Sequence, residues 1–252
     1  MMADLLYTID NGIARIVLNR PKKRNALSAG LVAELKAALS ESAANADVRV
    51  VLLTGAGQDF CSGADLSGLH KAIDSTVLDN MADASAMADL FLAMRYHPRP
   101  IVAAVRGRAL AGGCGLATAA DVILASETAQ FGYPEVNIGF LPAMVMAILR
   151  RSVSEKRAFD LIAMGEILTA QTAQDIGMVT RVFSDETFDL EVDAYAGKLA
   201  SKSASAVALS KQLLYHIDSM GFEAALRAGV QVNAMARTTA DFQAGIKKFL
   251  NK

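Results

Sequence analysis

Cysteine is scarce in this chain: two residues in 252, Cys61 and Cys114. Two thiols allow at most one disulfide, which excludes a disulfide framework, and they cannot build a zinc site of the CxxC type. Such usage fits a reduced cytosolic protein. The three histidines, His70, His97 and His216, show neither HExxH nor paired spacing, so no metal is expected. An excess of charge of one sign is also missing. The 25 Lys and Arg nearly cancel the 26 Asp and Glu, so no overall field would gather nucleic acid. No apolar run reaches the ~20 residues that cross a bilayer. The most apolar stretch, 136–149, is interrupted by Gly139 and Pro142 and reads as core. The opening MMADLLYTIDNG lacks a basic segment followed by an apolar one, so no secretory signal is expected and cytoplasmic residence is the default.

What is present is apolar residue, 53% of the chain, enough for a substantial core. Short β-branched runs at 13–18, 48–54, 101–105, 122–125 and 179–183 alternate with segments of helical spacing, which predicts an α/β fold. Ser28 precedes Leu31, Val32, Leu35 and Leu39 on one helical face, an amphipathic connecting helix. Thr169 suits an N-cap and Gly177 the left-handed position that ends a short helix before the next strand. From about Glu191 onward the composition is almost wholly helix-forming, with turns near Ser203 and Gly221. The expected organisation is an α/β core over residues 1–190 and a helical region over 191–252.

Two glycine-containing turns follow strand-like runs: FCSGADL at 60–66 and ALAGGCGLATAAD at 109–121. Glycine admits close ligand approach, and a helix starting near Gly112 or Gly113 leaves first-turn N–H groups free to meet an anion. Alone, each turn is ordinary strand-to-helix punctuation. Neither completes the GxGxxG pattern of dinucleotide binding.

Taken in order, five motifs resemble the enoyl-CoA hydratase/isomerase (crotonase) family over essentially the whole chain. NRPKKRNAL at 19–27 is similar to its CoA-binding segment, FCSGADL to its first oxyanion loop, and GGCGLATAADVILAS to its second oxyanion loop and helix. AQFGYPEVNIGFLP at 129–142 resembles the segment of the catalytic glutamate, and the stretch from Gly165 through LTAQTAQDIGMVTRV its late helix and strand. The resemblance implies a spiral of ββα units with C-terminal helices that mediate trimers or a dimer of trimers. It implies an acyl-CoA thioester as substrate, coenzyme A entering only as part of that substrate, and no prosthetic group. The backbone amides of Ala64 and Gly112 become the two donors to the thioester oxygen, where negative charge gathers. Glu135 becomes the acid/base, its pKa raised by partial desolvation.

The same resemblance places Lys23 or Arg24, in a basic patch with Arg20 and Lys22, on the CoA phosphates, with Ala26 in that segment. It places backbone atoms of Ser62, Ala64 and Leu66 on the adenine, and Phe249 and Lys252 on the CoA of a neighbouring subunit. Asp65 joins this cofactor-binding set, with loop support as its plainer role, and Gly115, Tyr133, Phe140 and Met144 line the acyl pocket. Cys61 and Cys114 are expected to be small buried residues rather than nucleophiles. One departure stands out at Gly115, where two-glutamate hydratases of the family carry the second carboxylate. Hydration of a 2-enoyl-CoA is the leading expectation. Migration of a 3-enoyl-CoA double bond needs only one base and gains weight from Gly115. A non-catalytic acyl-CoA-binding oligomer is a further alternative. A Ser-His-Asp hydrolase lacks a serine with a base in its sequence context.

Overall fold

The computed structural model describes residues 3–65, 70 and 73–251. Strands β1 (Leu5–Asp10) and β2 (Ile13–Leu18) form a hairpin in full register from Leu5↔Leu18 to Asp10↔Ile13. Its turn is Asn11-Gly12, with φ of 50° and 77°, the left-handed pair that matches strand twist. Helix α1 (Ala29–Ala44) carries the chain to β3 (Val50–Gly55), which pairs parallel with β2. The Ser28 side chain accepts from the Leu31 N–H at 3.2 Å, and Leu31, Val32, Leu35 and Leu39 are buried, as their spacing predicts. After α2 (Val77–Arg95), strands β4 (Ile101–Val105), β6 (Val122–Ser126) and β9 (Arg181–Phe183) extend one sheet in the order β1-β2-β3-β4-β6-β9.

A second, smaller sheet lies alongside, ordered β5 (Arg108–Leu110), β7 (Gln130–Gly132) and β8 (Ile167–Thr169). Successive turns of the chain give one strand to each sheet: β4 then β5, followed by β6 then β7. Helix α3 (Gly112–Thr118) connects β5 to β6, and α4 (Ala143–Ser152) and α5 (Glu155–Met164) follow β7. Thr169 caps α6 (Ala170–Asp175), accepting from the Thr172 N–H at 3.1 Å, and Gly177 takes φ 87°. Every residue of β4 is buried, because the large sheet is covered on both faces. The main core, with Leu35, Leu53, Phe60 and Leu116, fills one side. On the other, Val50, Leu52, Val102 and Leu124 pack against Phe188, Val192 and Ala196 of α7 (Phe188–Ala200).

The expected boundary at 190/191 falls within α7, whose apolar face seals the sheet, and the helices beyond Ala200 form an appendage. The stretch 136–149 is core only at Val145 and Leu149 among its large apolar residues, whereas Val136, Ile138, Phe140 and Leu141 are exposed. An irregular connection runs there, from the Glu135 turn to α4, over the surface.

The appendage comprises α8 (Ala204–His216), α9 (Phe222–Ala236) and α10 (Ala240–Leu250). Helix α8 is tied to the core by polar groups. The Lys211 ammonium donates to the Asp121 carboxylate at 2.7 Å and to the carbonyls of Met94 and Arg99, and the Tyr215 hydroxyl donates to the other Asp121 oxygen at 2.5 Å. Asp218, beyond α8, accepts from Arg95 of α2 and Arg151 of α4. Helices α9 and α10 bury no residue, and Phe222, Leu226, Val230, Phe249 and Leu250 stand exposed. Among the described residues no helix is long and apolar enough to cross a membrane. Asp121→Asn leaves the buried Lys211 without its counter-charge. It is expected to cost about 3 kcal/mol of stability, read by urea denaturation.

Candidate active site

The two glycine turns meet through their backbones. Cys61 bridges to β5, its N–H donating to Arg108 and its carbonyl accepting from Leu110, both at 3.0 Å. Two residues on, Leu27 takes the Gly63 carbonyl at 2.8 Å and the Asp65 N–H at 3.0 Å. Extended backbone alternates its groups, so the Ala64 N–H faces away from Leu27. On the other turn, the Ala111 N–H donates to Gly132 of β7 at 2.8 Å, while its carbonyl receives the Gly115 N–H at 3.0 Å. The N–H groups of Gly112, Gly113 and Cys114 therefore precede the first intrahelical bond of α3.

A Cβ on Gly113 would stand 2.2 Å from the Cys61 carbonyl oxygen, and one on Gly63 would stand 2.9 Å from Ala111 Cβ and 3.4 Å from the Gly112 nitrogen. Only glycine permits this approach. Ala111, at φ 51° and ψ −128°, holds a conformation rare for a residue with a side chain. It sets the peptide plane that carries the Gly112 N–H. Among the described residues, neither the Ala64 nor the Gly112 N–H donates to a backbone carbonyl.

Glu135 stands on a 3-10 turn, Pro134–Ile138, that leaves β7. Pro134 suits its first position, Gly139 at φ 73° ends it, and the Phe140 N–H closes back on the Glu135 carbonyl at 3.0 Å. Glu135 is 8% exposed and, among the described residues, its Oε2 has no hydrogen-bond partner. Burial raises its pKa above the ordinary 4.5. A buried carboxylate oxygen left unpaired is costly and uncommon outside functional sites. The carboxyl lies close enough to Cys114 of α3 and to Tyr133 to disfavour ionisation of both.

Gly115 is packed shut. A Cβ there would lie 2.5 Å from Val145 Cγ2 and 3.3 Å from Phe91 Cζ. A glutamate at this position would have to displace Val145, which is buried on α4. Tyr133 does not line an open pocket: it is 1% exposed, within the main core, and its hydroxyl is 2.8 Å from Thr118 Oγ1. Phe140 is exposed, and Met144 is half-buried against the core.

The basic segment divides by role. Arg20 is largely buried, its guanidinium holding Asp65 at 2.7 Å, Asp4 at 3.2 Å and the Ala26 carbonyl. Arg20 and the buried Asp65 thus fasten the first glycine turn. Lys22, Lys23 and Arg24 are exposed, with the Lys23 ammonium 3.8 Å from Asp65, and Ala26 is buried. Ser62 is half-buried and its N–H donates to the Arg24 carbonyl at 3.0 Å. The sequence reading missed Asn25, which is fully buried at φ 54°. Its amide donates to the carbonyls of Ala56 and Asp59, and its side-chain oxygen accepts from the Arg20 N–H. An Asn in a basic loop ahead of an apolar pair is the signal that was available, since Asn tolerates left-handed backbone. Phe249 is exposed on α10. Leu66 and Lys252 lie outside the described residues. Cys61 and Cys114 are buried, and burial pushes their thiols up to about 12 and about 11. Neither supplies a thiolate nucleophile at neutral pH.

A sequence model of a family described as enoyl-CoA hydratase/isomerase matches residues 8–252. The chain belongs to the enoyl-CoA hydratase/isomerase family. It is 34% identical over 254 residues to 2,3-dehydroadipyl-CoA hydratase of Escherichia coli, covering 100% of this chain and 97% of that one. It is 33% identical to the mitochondrial enoyl-CoA hydratase domain-containing protein 3 of Rattus norvegicus, covering 96% and 80%. The crystal structure of a Mycobacterium smegmatis enoyl-CoA hydratase superposes with a TM-score of 0.95 at 30% identity, covering 99% of this chain and 96% of that one. The fold is therefore the crotonase fold, with its C-terminal helices in place.

The state of Glu135 makes a prediction about stability in this hydratase/isomerase family member. Its folded pKa lies above its unfolded one, so the folded protein binds more protons between the two values and loses stability as pH rises through that window. Glu135→Gln removes the ionisation. Its stability relative to the parent should rise from about pH 4 and level off above the folded pKa, read by urea unfolding up to about pH 8. A difference independent of pH would contradict the raised pKa.

Proposed function

We propose that this enzyme acts on an acyl-CoA thioester, with the N–H groups of Ala64 and Gly112 receiving the thioester oxygen and Glu135 moving a proton at the adjoining carbons. The observation that carries this reading is the buried, unpaired Glu135 oxygen beside two touching turns whose N–H groups have no backbone acceptor among the described residues. Withdrawing an α-proton, or adding to the β-carbon, drives charge onto the thioester oxygen. One fixed donor there contributes ~2.7–4 kcal/mol to the transition state. A positioned glutamate adds ~10²–10⁴-fold.

Hydration of a 2-enoyl-CoA is the leading reaction, supported by a relative named as a hydratase of one such thioester. Double-bond migration from 3-enoyl to 2-enoyl is the second reading, favoured by Val145 filling the space over Gly115, which leaves one carboxylate to serve as base. In both, coenzyme A arrives within the substrate and the chemistry calls for no prosthetic group. The exposed Lys23 and Arg24 would take its phosphates, near buried Ala26, and backbone atoms of Ser62, Ala64 and Leu66 its adenine. Asp65 holds that loop through Arg20, while Phe140 and Met144 would border the acyl chain. Phe249 and Lys252 would reach the CoA of a neighbouring subunit. The exposed apolar residues of α9 and α10 suit burial against copies of this chain, as a trimer or a dimer of trimers. We place the enzyme in the cytoplasm.

The test offers a 2-enoyl-CoA and a 3-enoyl-CoA separately and follows absorbance of the conjugated alkene. Loss marks hydration and gain marks isomerisation. Glu135→Gln is expected to lower turnover by ~10²–10⁴-fold with CoA affinity retained. Tight CoA binding without turnover of any enoyl thioester would instead indicate a binding protein.

A further inference from the structure

We propose that Tyr133 is a positioning residue, its buried hydroxyl holding helix α3, and with it the Gly112 N–H, at a fixed spacing from Glu135; the inference rests on the reading of Glu135 and Gly112 above. The protons can be counted. Thr118 Oγ1 donates to the Cys114 carbonyl at 2.7 Å, which uses its single proton. In the 2.8 Å contact between Thr118 and Tyr133, the phenol is therefore the donor. Tyr133 thus has no proton to offer Glu135, and at 1% exposure it has no surface to offer a substrate. The Cys114 thiol lies against the same phenol and stays protonated, so no charge competes for it.

What the bond does is mechanical. Tyr133 immediately precedes the turn that carries Glu135, and Thr118 is the last residue of α3, whose first is Gly112. At the opposite end of α3, the Ala111 N–H donates to the Gly132 carbonyl at 2.8 Å. Gly132 and Tyr133, three and two positions before Glu135, therefore grip the two ends of one helix. Seven residues span about 10 Å. Without the Tyr133 bond the far end of α3 would be held by packing alone, and small misplacements of a donor are expensive in rate. The second tie fixes that end.

The readout is exchange of the α-protons of butanoyl-CoA in deuterated water, followed by NMR, which needs only the oxyanion donors and the base. Tyr133→Phe keeps the ring and removes the tie. The saturated exchange rate is expected to fall about tenfold with KM unchanged within about twofold. Thr118→Val should fall equally, the double variant no further than either single one, and Thr118→Ser should restore the rate. Should Tyr133→Phe fail to fold, the Thr118 pair carries the test. A parental exchange rate in Tyr133→Phe or Thr118→Val, or losses that multiply in the double variant, would overturn the proposal. Glu135→Gln separates the two levels. If it exchanges at the parental rate, the reading of Glu135 falls and this inference with it, whereas an inactive Glu135→Gln beside a fully active Tyr133→Phe removes Tyr133 alone.

Discussion

The Cys61 carbonyl oxygen occupies the place a side chain at residue 113 would need, and that backbone contact is the constraint from which the site follows. Two strand-exit turns, one after β3 and one after β5, are brought to van der Waals distance because Gly63 and Gly113 offer no Cβ at the junction. The bonds Cys61 makes with Arg108 and Leu110 fix their relative height. The local direction of the two N–H groups is set by main chain, while side chains hold the turns that carry them. That direction comes from the alternation of extended backbone at Ala64 and from the unusual torsions of Ala111.

Two buried carboxylates near these turns show opposite solutions to the same problem. Asp65 is neutralised by Arg20 at 2.7 Å, so its charge is spent on holding the loop. Among the described residues, Glu135 has no cation paired with it and an oxygen without a partner. Burial then works on its proton affinity instead of on its geometry. The first arrangement suits support and the second suits proton transfer.

Much of this was readable in the residues. The runs at 13–18 and 101–105 became β2 and β4 with the expected limits, since buried parallel strands write continuous β-branched patterns. The caps at Ser28 and Thr169 and the left-handed Gly177 were equally local signals. The small sheet was not legible, because β5, β7 and β8 have three residues each, too few to show a period, and they find partners far along the chain. Helix-forming composition after residue 190 could not say that α7 faces the sheet whereas α9 and α10 do not. At the site, the glycine turns and Glu135 were visible through motif order. Tyr133, expected along the acyl pocket, is 1% exposed, since an aromatic beside the Glu135 segment reads the same whether it borders a cavity or fills the floor beneath it. Only the partner of its hydroxyl tells the two apart.

The tie between Asp121 and Lys211 spans 90 residues, and that between Asp121 and Tyr215 spans 94. Chain emerges from a ribosome at about 5–20 residues per second, so the carboxylate is made roughly 5–20 seconds before the cation that neutralises it. Among the described residues, the Ile101 N–H is the group made before α8 that donates to the Asp121 carboxylate in the folded chain, at 2.6 Å. Closure of so long a loop is slow relative to local helix formation. Docking of α8 is thus a late event in the birth of the molecule, and the two glycine turns and Glu135 are assembled from residues already laid down.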